Sequence, residues 1–454
     1  MIHMKSHSPL WHPNTQMSEW TSFPEIVSAK GMWLYDSKGG KMLDGVASMW
    51  CNVWGHSKSE LVSEIIKQTK ILQHTPLFNL THPSAEKLSK KLLQFNPKMK
   101  SVFFSDNGST AMEIAIKIAL QYWRNIGENK KTNVATLENG YHGDTFGAMS
   151  VGYVPEFFSK FRSKLFSTTQ FPVPRTVIVG SNTKKSSKEY AEYCLSKIED
   201  KLEKDNSIAA FVMESGAQMA GGVIIYPKNF QKRISQICKK NDVLFVLDEI
   251  ATGFGRLGSM IEYQSQNSTP DIVSFGKMLT GGYQTFAATL TTKKINDSFL
   301  GEFSQFKHLF HGHTYTGNPT AAALSLKNLE LYKKYHKNIE LKMLSDGNTI
   351  NLNHRIKVTP FLVPHRDEFS ETVGYKIEGP KKSIIFIPDI DKWNIWNKDI
   401  ISEVNSNDYL LLDGTFFDGY ELPGRDMSEI PHPFVSESIN LFKGLPTKDR
   451  KSVV

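Results

Sequence analysis

Three stretches of this chain place reactive side chains where an apolar run gives out. In DIVSFGKMLTGG, Lys277 follows a short apolar segment that closes at Gly276. Partial burial there would lower the pKa of its amine and make Lys277 a candidate nucleophile. In VLFVLDEIATGFGRLG, an apolar run delivers Asp248 and Glu249 to its carboxyl end, and a glycine-rich stretch suited to a ligand-facing loop follows. In SVFFSDNGSTAMEIAIKIALQYW, a run passes through Asp106, Asn107, Gly108 and Ser109 into a long amphipathic segment. The free N–H groups and partial positive charge of a helix N-terminus, with the Ser109 hydroxyl, suit an anion such as a phosphate. Each feature also has an ordinary meaning: a solvated lysine, carboxylates at the edge of a sheet, an N-cap turn.

Taken together, a phosphate cradle, a strand-end aspartate and a strand-end lysine are what pyridoxal 5'-phosphate requires. The lysine carries the cofactor, the carboxylate pairs with the pyridine nitrogen and the helix N-terminus holds the phosphate. In NGYHGDTFGAMS, Tyr141 lies between glycines and could contact a cofactor ring. In HGHTYTGNPTAAALSL, Thr314 and Thr316 sit in a glycine-containing turn before a helix and offer a second phosphate contact.

The elements that must position these residues follow from periodicity. From about 100 to 290, the apolar runs SVFFS, NVATL, IAAFVME, VLFVLDE and DIVSFG alternate with amphipathic stretches such as FQKRISQICKK. Such alternation predicts an α/β domain with a mostly parallel sheet flanked by helices, whose ligands bind at the carboxyl ends of the strands. Upstream, GMWLYDSKGGKMLDG reads as a hairpin, and residues 58–95 have helical spacing. From about 345 the texture becomes strand and turn. The expected domains are an N-terminal segment 1–60, a cofactor-binding large domain 61–344 and a β-rich domain 345–454.

Composition narrows the class. The 454 residues are 40% hydrophobic and 22% charged, which is globular and excludes a disordered or fibrous chain. No apolar run reaches the ~18 residues of a membrane span, and the first residues lack a signal-peptide core, so no membrane partner and a cytoplasmic location are expected. The net charge of +8 comes from scattered lysines rather than a basic stripe, so nucleic acid is not an expected partner. Cys51, Cys194 and Cys238 lie far apart, without disulfide or zinc spacing.

Residues from about 10 to 340 resemble the fold-type I, class III pyridoxal-phosphate aminotransferases. The resemblance is carried, in family order, by LWHPNTQM, DGVASMWCNVWGH, SDNGSTAMEIAIKIALQYW, NGYHGDTFGAMSVG, LDEIATGFGRLG, FGKMLTGG and HGHTYTGNP. DEIATGFGR and GKMLTGG mark the class. ALQYW, GYHGDTFGAMS and WHPNTQM are similar to its biotin-synthesis branch. That implies S-adenosyl-L-methionine as amino donor, 8-amino-7-oxononanoate as acceptor and a homodimer. The resemblance implies that Lys277 bears the cofactor, Asp248 binds its pyridine nitrogen and Gly108 and Ser109 bind its phosphate. It further implies that Thr314 contributes from the partner subunit, that Tyr141 stacks on the ring and that Trp50 lines the substrate pocket, with Glu214 near the site. The alternatives are another class III enzyme acting on an ω-amine, or a catalytically impaired fusion of two truncated proteins.

The sequence departs from the family at Asn14, where an aromatic is usual, at Met49-Trp50 for a Trp-Trp pair, and at Glu214-Ser215 for Glu-Pro. The family's small C-terminal domain, with an arginine for the substrate carboxylate, is not found, and Arg355 and Arg366 stand in unrelated sequence. Residues 345–454 are instead similar to part of a metallo-β-lactamase-fold protein related to coenzyme PQQ synthesis protein B. TPFLVPHRDEFSETVGYKI, KKSIIFIPDIDKW and YLLLDGTFFDGYELPGRDMSEIPHPF carry this likeness. It implies a metal-type position for Asp389, with His365, Asp413 and His432 as further ligand-type residues. The fold's main histidine cluster is not found before them, so no metal site is expected.

Overall fold

The computed structural model describes residues 9–19, 23–175, 177–179, 183–185, 187–335, 344–365, 372–419, 431–445 and 449–453. The chain divides into two compact units. The first comprises Met1–Val173, Leu195–Gly222 and Lys228–Asn338, and the second Pro174–Cys194, Val223–Pro227 and Ile339–Val454.

A seven-stranded sheet runs through the first unit. Across it lie Met99–Ser105, Ala287–Thr292, Ile272–Phe275, Leu244–Asp248, Ile208–Glu214, Asn133–Leu137 and Thr169–Phe171, in that order. Every neighbouring pair from Ile272–Phe275 to Thr169–Phe171 is parallel. Ala287–Thr292 runs antiparallel to both its neighbours. The sheet is therefore mixed and mostly parallel. Its central strands are continuous apolar runs because helices cover both faces. The seven residues Ile208–Glu214 are all buried, as are the five of Leu244–Asp248.

The helix Gly108–Asn125 packs on this sheet. Met112, Ala115, Ala119 and Trp123 recur at helical spacing and join Val134, Ala210 and Val246 in the core. Its start is fastened by Asn107, whose side chain accepts from Thr110 N at 3.0 Å while the Thr110 hydroxyl accepts from Asn107 N at 3.3 Å. Upstream, the expected hairpin is Trp33–Asp36 paired antiparallel with Lys41–Leu43. The expected helical region is two helices, Ser59–Ile71 and Pro83–Phe95.

The second unit holds a six-stranded sheet in the order Ile350–Asn351, Lys357–Leu362, Val373–Glu378, Ser383–Ile387, Tyr409–Asp413 and Asp449–Val453. Its first three pairings are antiparallel and its last two parallel. Ile385, Ile387, Trp393, Val404 and Leu410 form a buried core of its own. This β-rich unit agrees with the texture of the sequence after 345. Among the described residues, no helix is long and apolar enough to cross a membrane.

Candidate active site

Parallel register brings two acids together. Asp248 and Glu214 end adjacent strands and are directly paired, so their side chains emerge at the same level. Glu249, one residue on, serves elsewhere: its carboxylate accepts from Glu262 N at 2.9 Å and Tyr263 N at 2.5 Å. Of the two acids in Asp248-Glu249, only Asp248 lines the cavity at the strand ends.

That cavity measures about 750 Å³. Lys277 enters it just past Ile272–Phe275, and Gly108 and Ser109 enter at the start of their helix. Trp50, Tyr141, Asp248 and Glu214 also line it. The Lys277 amine stands 5.3 Å from the centre of the Trp50 ring, a cation–π distance. Burial lowers the pKa of this amine, against the opposing pull of Asp248 and Glu214.

Asp248 is fixed from two sides. Its Oδ1 accepts from Ile250 N at 2.8 Å, and its Oδ2 lies 2.8 Å from Nδ1 of His142. The His142 ring is enclosed, and its Nε2 has no hydrogen-bond partner among the described residues. Glu214 accepts from Tyr141 N at 3.1 Å and Met219 N at 2.9 Å. Burial pushes its carboxyl up to about 7. The Tyr141 hydroxyl donates to Asp144 at 3.1 Å, and burial raises its pKa.

At the helix N-terminus the Ser109 hydroxyl accepts from Thr145 N at 3.0 Å and lies 2.7 Å from the Thr145 hydroxyl. Gly143, at φ +116°, passes so close that a Cβ would stand 2.4 Å from Ser109 Oγ. This explains a glycine in the loop that follows Tyr141 and His142.

Thr314 does not line this cavity within one chain. Thr316 lines a separate hollow of about 260 Å³ with Phe78 and His311. Arg355 is exposed and bonded to His354, and Arg366 lies outside the described residues. Ser215 donates its backbone N–H to the Asp248 carbonyl at 2.9 Å, a bond that the family's usual proline could not make. His142 and Arg256 were not singled out from sequence. Arg256 donates from Nη2 to the Trp50 carbonyl at 3.2 Å, and its Nε is buried without a partner among the described residues.

Residues 17–346 match the aminotransferase class-III family. The chain belongs to the class-III aminotransferases. It is 41% identical over 330 residues to the adenosylmethionine-8-amino-7-oxononanoate aminotransferase of Geobacter sulfurreducens, covering 71% of this chain and 72% of that protein. The protein of the same name from Staphylococcus aureus is 41% identical over 340 residues, covering 73% and 75%. The solved aminotransferase of that name from Methanocaldococcus jannaschii aligns with a TM-score of 0.68 and 35% identity, over 78% of this chain and 82% of that one. An amine transaminase from an uncultivated Pseudomonas species, solved in a PLP-bound form, aligns with a TM-score of 0.68 and 26% identity, over 79% and 85%. Class-III aminotransferases use pyridoxal 5'-phosphate. The donor set fits that group: a desolvated amine, a carboxylate braced by His142, and a helix N-terminus with two hydroxyls beside it.

Residues 304–452 match the beta-lactamase superfamily domain. In the second unit, one donor atom each of His365, Asp389 and His432 lies within 4.8 Å of the others. Asp389 bridges the two rings, 3.2 Å from His365 Nε2 and 3.2 Å from His432 Nδ1. Asp413 lies 2.8 Å from His432 Nδ1, and Asp391 lies 2.9 Å from His365 Nδ1. Burial raises the pKa of Asp389, against the pull of both histidines. Burial acts the same way on Asp413, but bonds from His432 and Thr415 outweigh it and hold that carboxyl below its usual range.

Proposed function

We propose that this chain transfers an amino group from S-adenosyl-L-methionine to 8-amino-7-oxononanoate, giving 7,8-diaminononanoate for biotin synthesis. The observation that carries the proposal is the convergence of Lys277, Asp248 and the Gly108–Ser109 helix start on one cavity, in a chain about 40% identical to proteins named for that reaction. The names of those relatives supply the donor and the acceptor.

Lys277 would carry the cofactor, and between steps its amine would accept and return the substrate's proton. Asp248 would face the pyridine nitrogen. Gly108 and Ser109 would hold the phosphate, with Thr314 reaching it from the partner in a homodimer. Bound there, the cofactor supplies an electron sink for charge developing at the substrate carbon. Tyr141 would stack on its ring, braced by Glu214 through the backbone N–H. Trp50 would wall the substrate side, where its ring already meets the lysine. Desolvation of Lys277 favours the neutral, nucleophilic amine.

A second reading, an ω-amine transaminase, draws support from structural neighbours of that type at 26% identity. A third, a fusion with impaired turnover, draws support from the change of family match along the chain. The test incubates the full chain with pyridoxal phosphate, S-adenosyl-L-methionine and 8-amino-7-oxononanoate and detects product by mass spectrometry. Diaminononanoate that requires S-adenosyl-L-methionine is expected. Turnover only with other amines would select the second reading, and no turnover with any amine the third.

A further inference from the structure

Four consecutive residues beside Lys277 adopt a backbone of the wrong hand. Ala47, Ser48, Met49 and Trp50 have φ of 49°, 48°, 64° and 66°, and none is glycine. Trp50 N donates to Val46 O at 2.9 Å and Cys51 N to Ala47 O at 3.0 Å. The segment is one left-handed helical turn. L-residues disfavour this region because Cβ crowds the following carbonyl, and they visit it singly rather than in runs. Such a run persists only where its surroundings over-determine it.

The determinants are visible. The Asp44 carboxylate accepts from Ser48 N at 2.9 Å and from the Ser48 hydroxyl at 2.7 Å. The same carboxylate lies 2.8 Å from Nε2 of His56, whose backbone is bridged to Gly31. Downstream, Arg256 holds the Trp50 carbonyl, and Gly282 approaches so closely that a Cβ would stand 3.1 Å from the Cys51 carbonyl oxygen. The turn ends with the Trp50 ring beside the Lys277 amine and with Cys51 on the cavity wall.

We propose that Asp44 and His56 are positioning residues for the cavity: by fastening Ser48 they hold Ala47–Trp50 in its left-handed turn and so keep Trp50 against the substrate side of Lys277. The part concerning substrate rests on the function proposed above; the part concerning the turn does not. Burial would raise the Asp44 carboxyl, but the bonds from Ser48 and His56 outweigh it and hold it below its usual range, in keeping with a charged fastener.

Cys51 reports on the turn without any turnover. Its thiol donates to the Ser48 carbonyl at 2.9 Å, and the chain's other two cysteines are buried. The experiment measures the rate at which a small thiol reagent labels Cys51 in the full chain loaded with pyridoxal phosphate. Asp44→Ala is expected to raise that rate about tenfold as the thiol loses its acceptor and the turn opens. Ser48→Ala and His56→Ala, each of which removes part of the fastening, are expected to raise it about threefold, and they carry the test if Asp44→Ala does not fold. Adding Met49→Gly to Asp44→Ala is expected to bring the rate back toward that of the unaltered chain, because glycine adopts a φ of 64° without strain. In the same variants, KM for the amino donor is expected to rise more than kcat falls, a split that a general loss of structure would not produce. Unchanged labelling in folded variants, or no recovery with Met49→Gly, overturns the proposal. Changed labelling in a chain that transaminates no substrate would sink the function proposed above and leave the turn standing.

Discussion

Replacing His142 by alanine removes one of the two groups that brace Asp248, and the structure sets the size of the effect. The two side chains meet at 2.8 Å with the ring fully enclosed and the carboxylate 5% exposed, so the contact is a desolvated one. A hydrogen bond to a charged group contributes about 1.5–3 kcal/mol, and the partner left behind carries a desolvation cost of similar size. If Asp248 must be aimed at the pyridine nitrogen, most of that energy appears in cofactor affinity, where about 1.4 kcal/mol is tenfold. His142→Ala is therefore expected to weaken pyridoxal-phosphate binding by roughly ten- to a hundredfold. His142→Asn, whose amide nitrogen stands near the position of Nδ1, is expected to recover most of the loss. The assay is a titration of cofactor-free protein followed by visible absorbance, with circular dichroism confirming the fold. Binding by His142→Ala at the affinity of the unaltered chain would refute the reasoning, as would an asparagine variant no better than alanine.

Three further outcomes are expected. Burial pushes Glu214 to about 7 and Glu249 to about 8 in the folded chain. Both values lie above those of the unfolded chain, so the stability these acids contribute is full below about pH 4.5 and is lost as pH rises through about 7 to 8. Thermal melts of cofactor-free protein should fall across that window, and fall less in Glu214→Gln, which leaves only Glu249 to contribute; a melting temperature that rises from pH 5.5 to 8 would contradict this. Asn107→Ala should cost about 0.5–2 kcal/mol in denaturant unfolding by uncapping the helix at Gly108, and no change would remove the cap from the account. The second unit is expected to purify without stoichiometric zinc or iron, since the fold's main histidine cluster is not found in the sequence and His365, Asp389 and His432 gather without it. Metal at one ion per chain, lost in Asp389→Ala, would overturn that expectation.

The parts of the site legible in the sequence are those set by strand ends and helix starts. Asp248 and Lys277 each close or follow an apolar run, and Gly108 opens an amphipathic one. Runs of that kind become buried parallel strands and their covering helix, which bring the three to one edge of the sheet. What stayed hidden depends on the third dimension. His142 meets Asp248 across 106 positions, a pairing that neither periodicity nor motif spacing encodes. The left-handed turn at Ala47–Trp50 contains no glycine and so carries none of the usual sequence signal for positive φ. Glu249 sits beside Asp248 in sequence yet serves the backbone of Glu262 and Tyr263, one residue past the end of the strand Leu244–Asp248. In the second unit, His365, Asp389 and His432 come from separate segments and look scattered until the sheet gathers them.

The account rests most directly on Lys277 as the cofactor-bearing amine. The full chain, incubated with pyridoxal phosphate, reduced with borohydride and digested, should yield the pyridoxyl-phosphate adduct on the peptide containing Lys277. The adduct should be absent from that peptide in Lys277→Ala. An adduct confined to other lysines of folded protein, or none at all, would contradict the account.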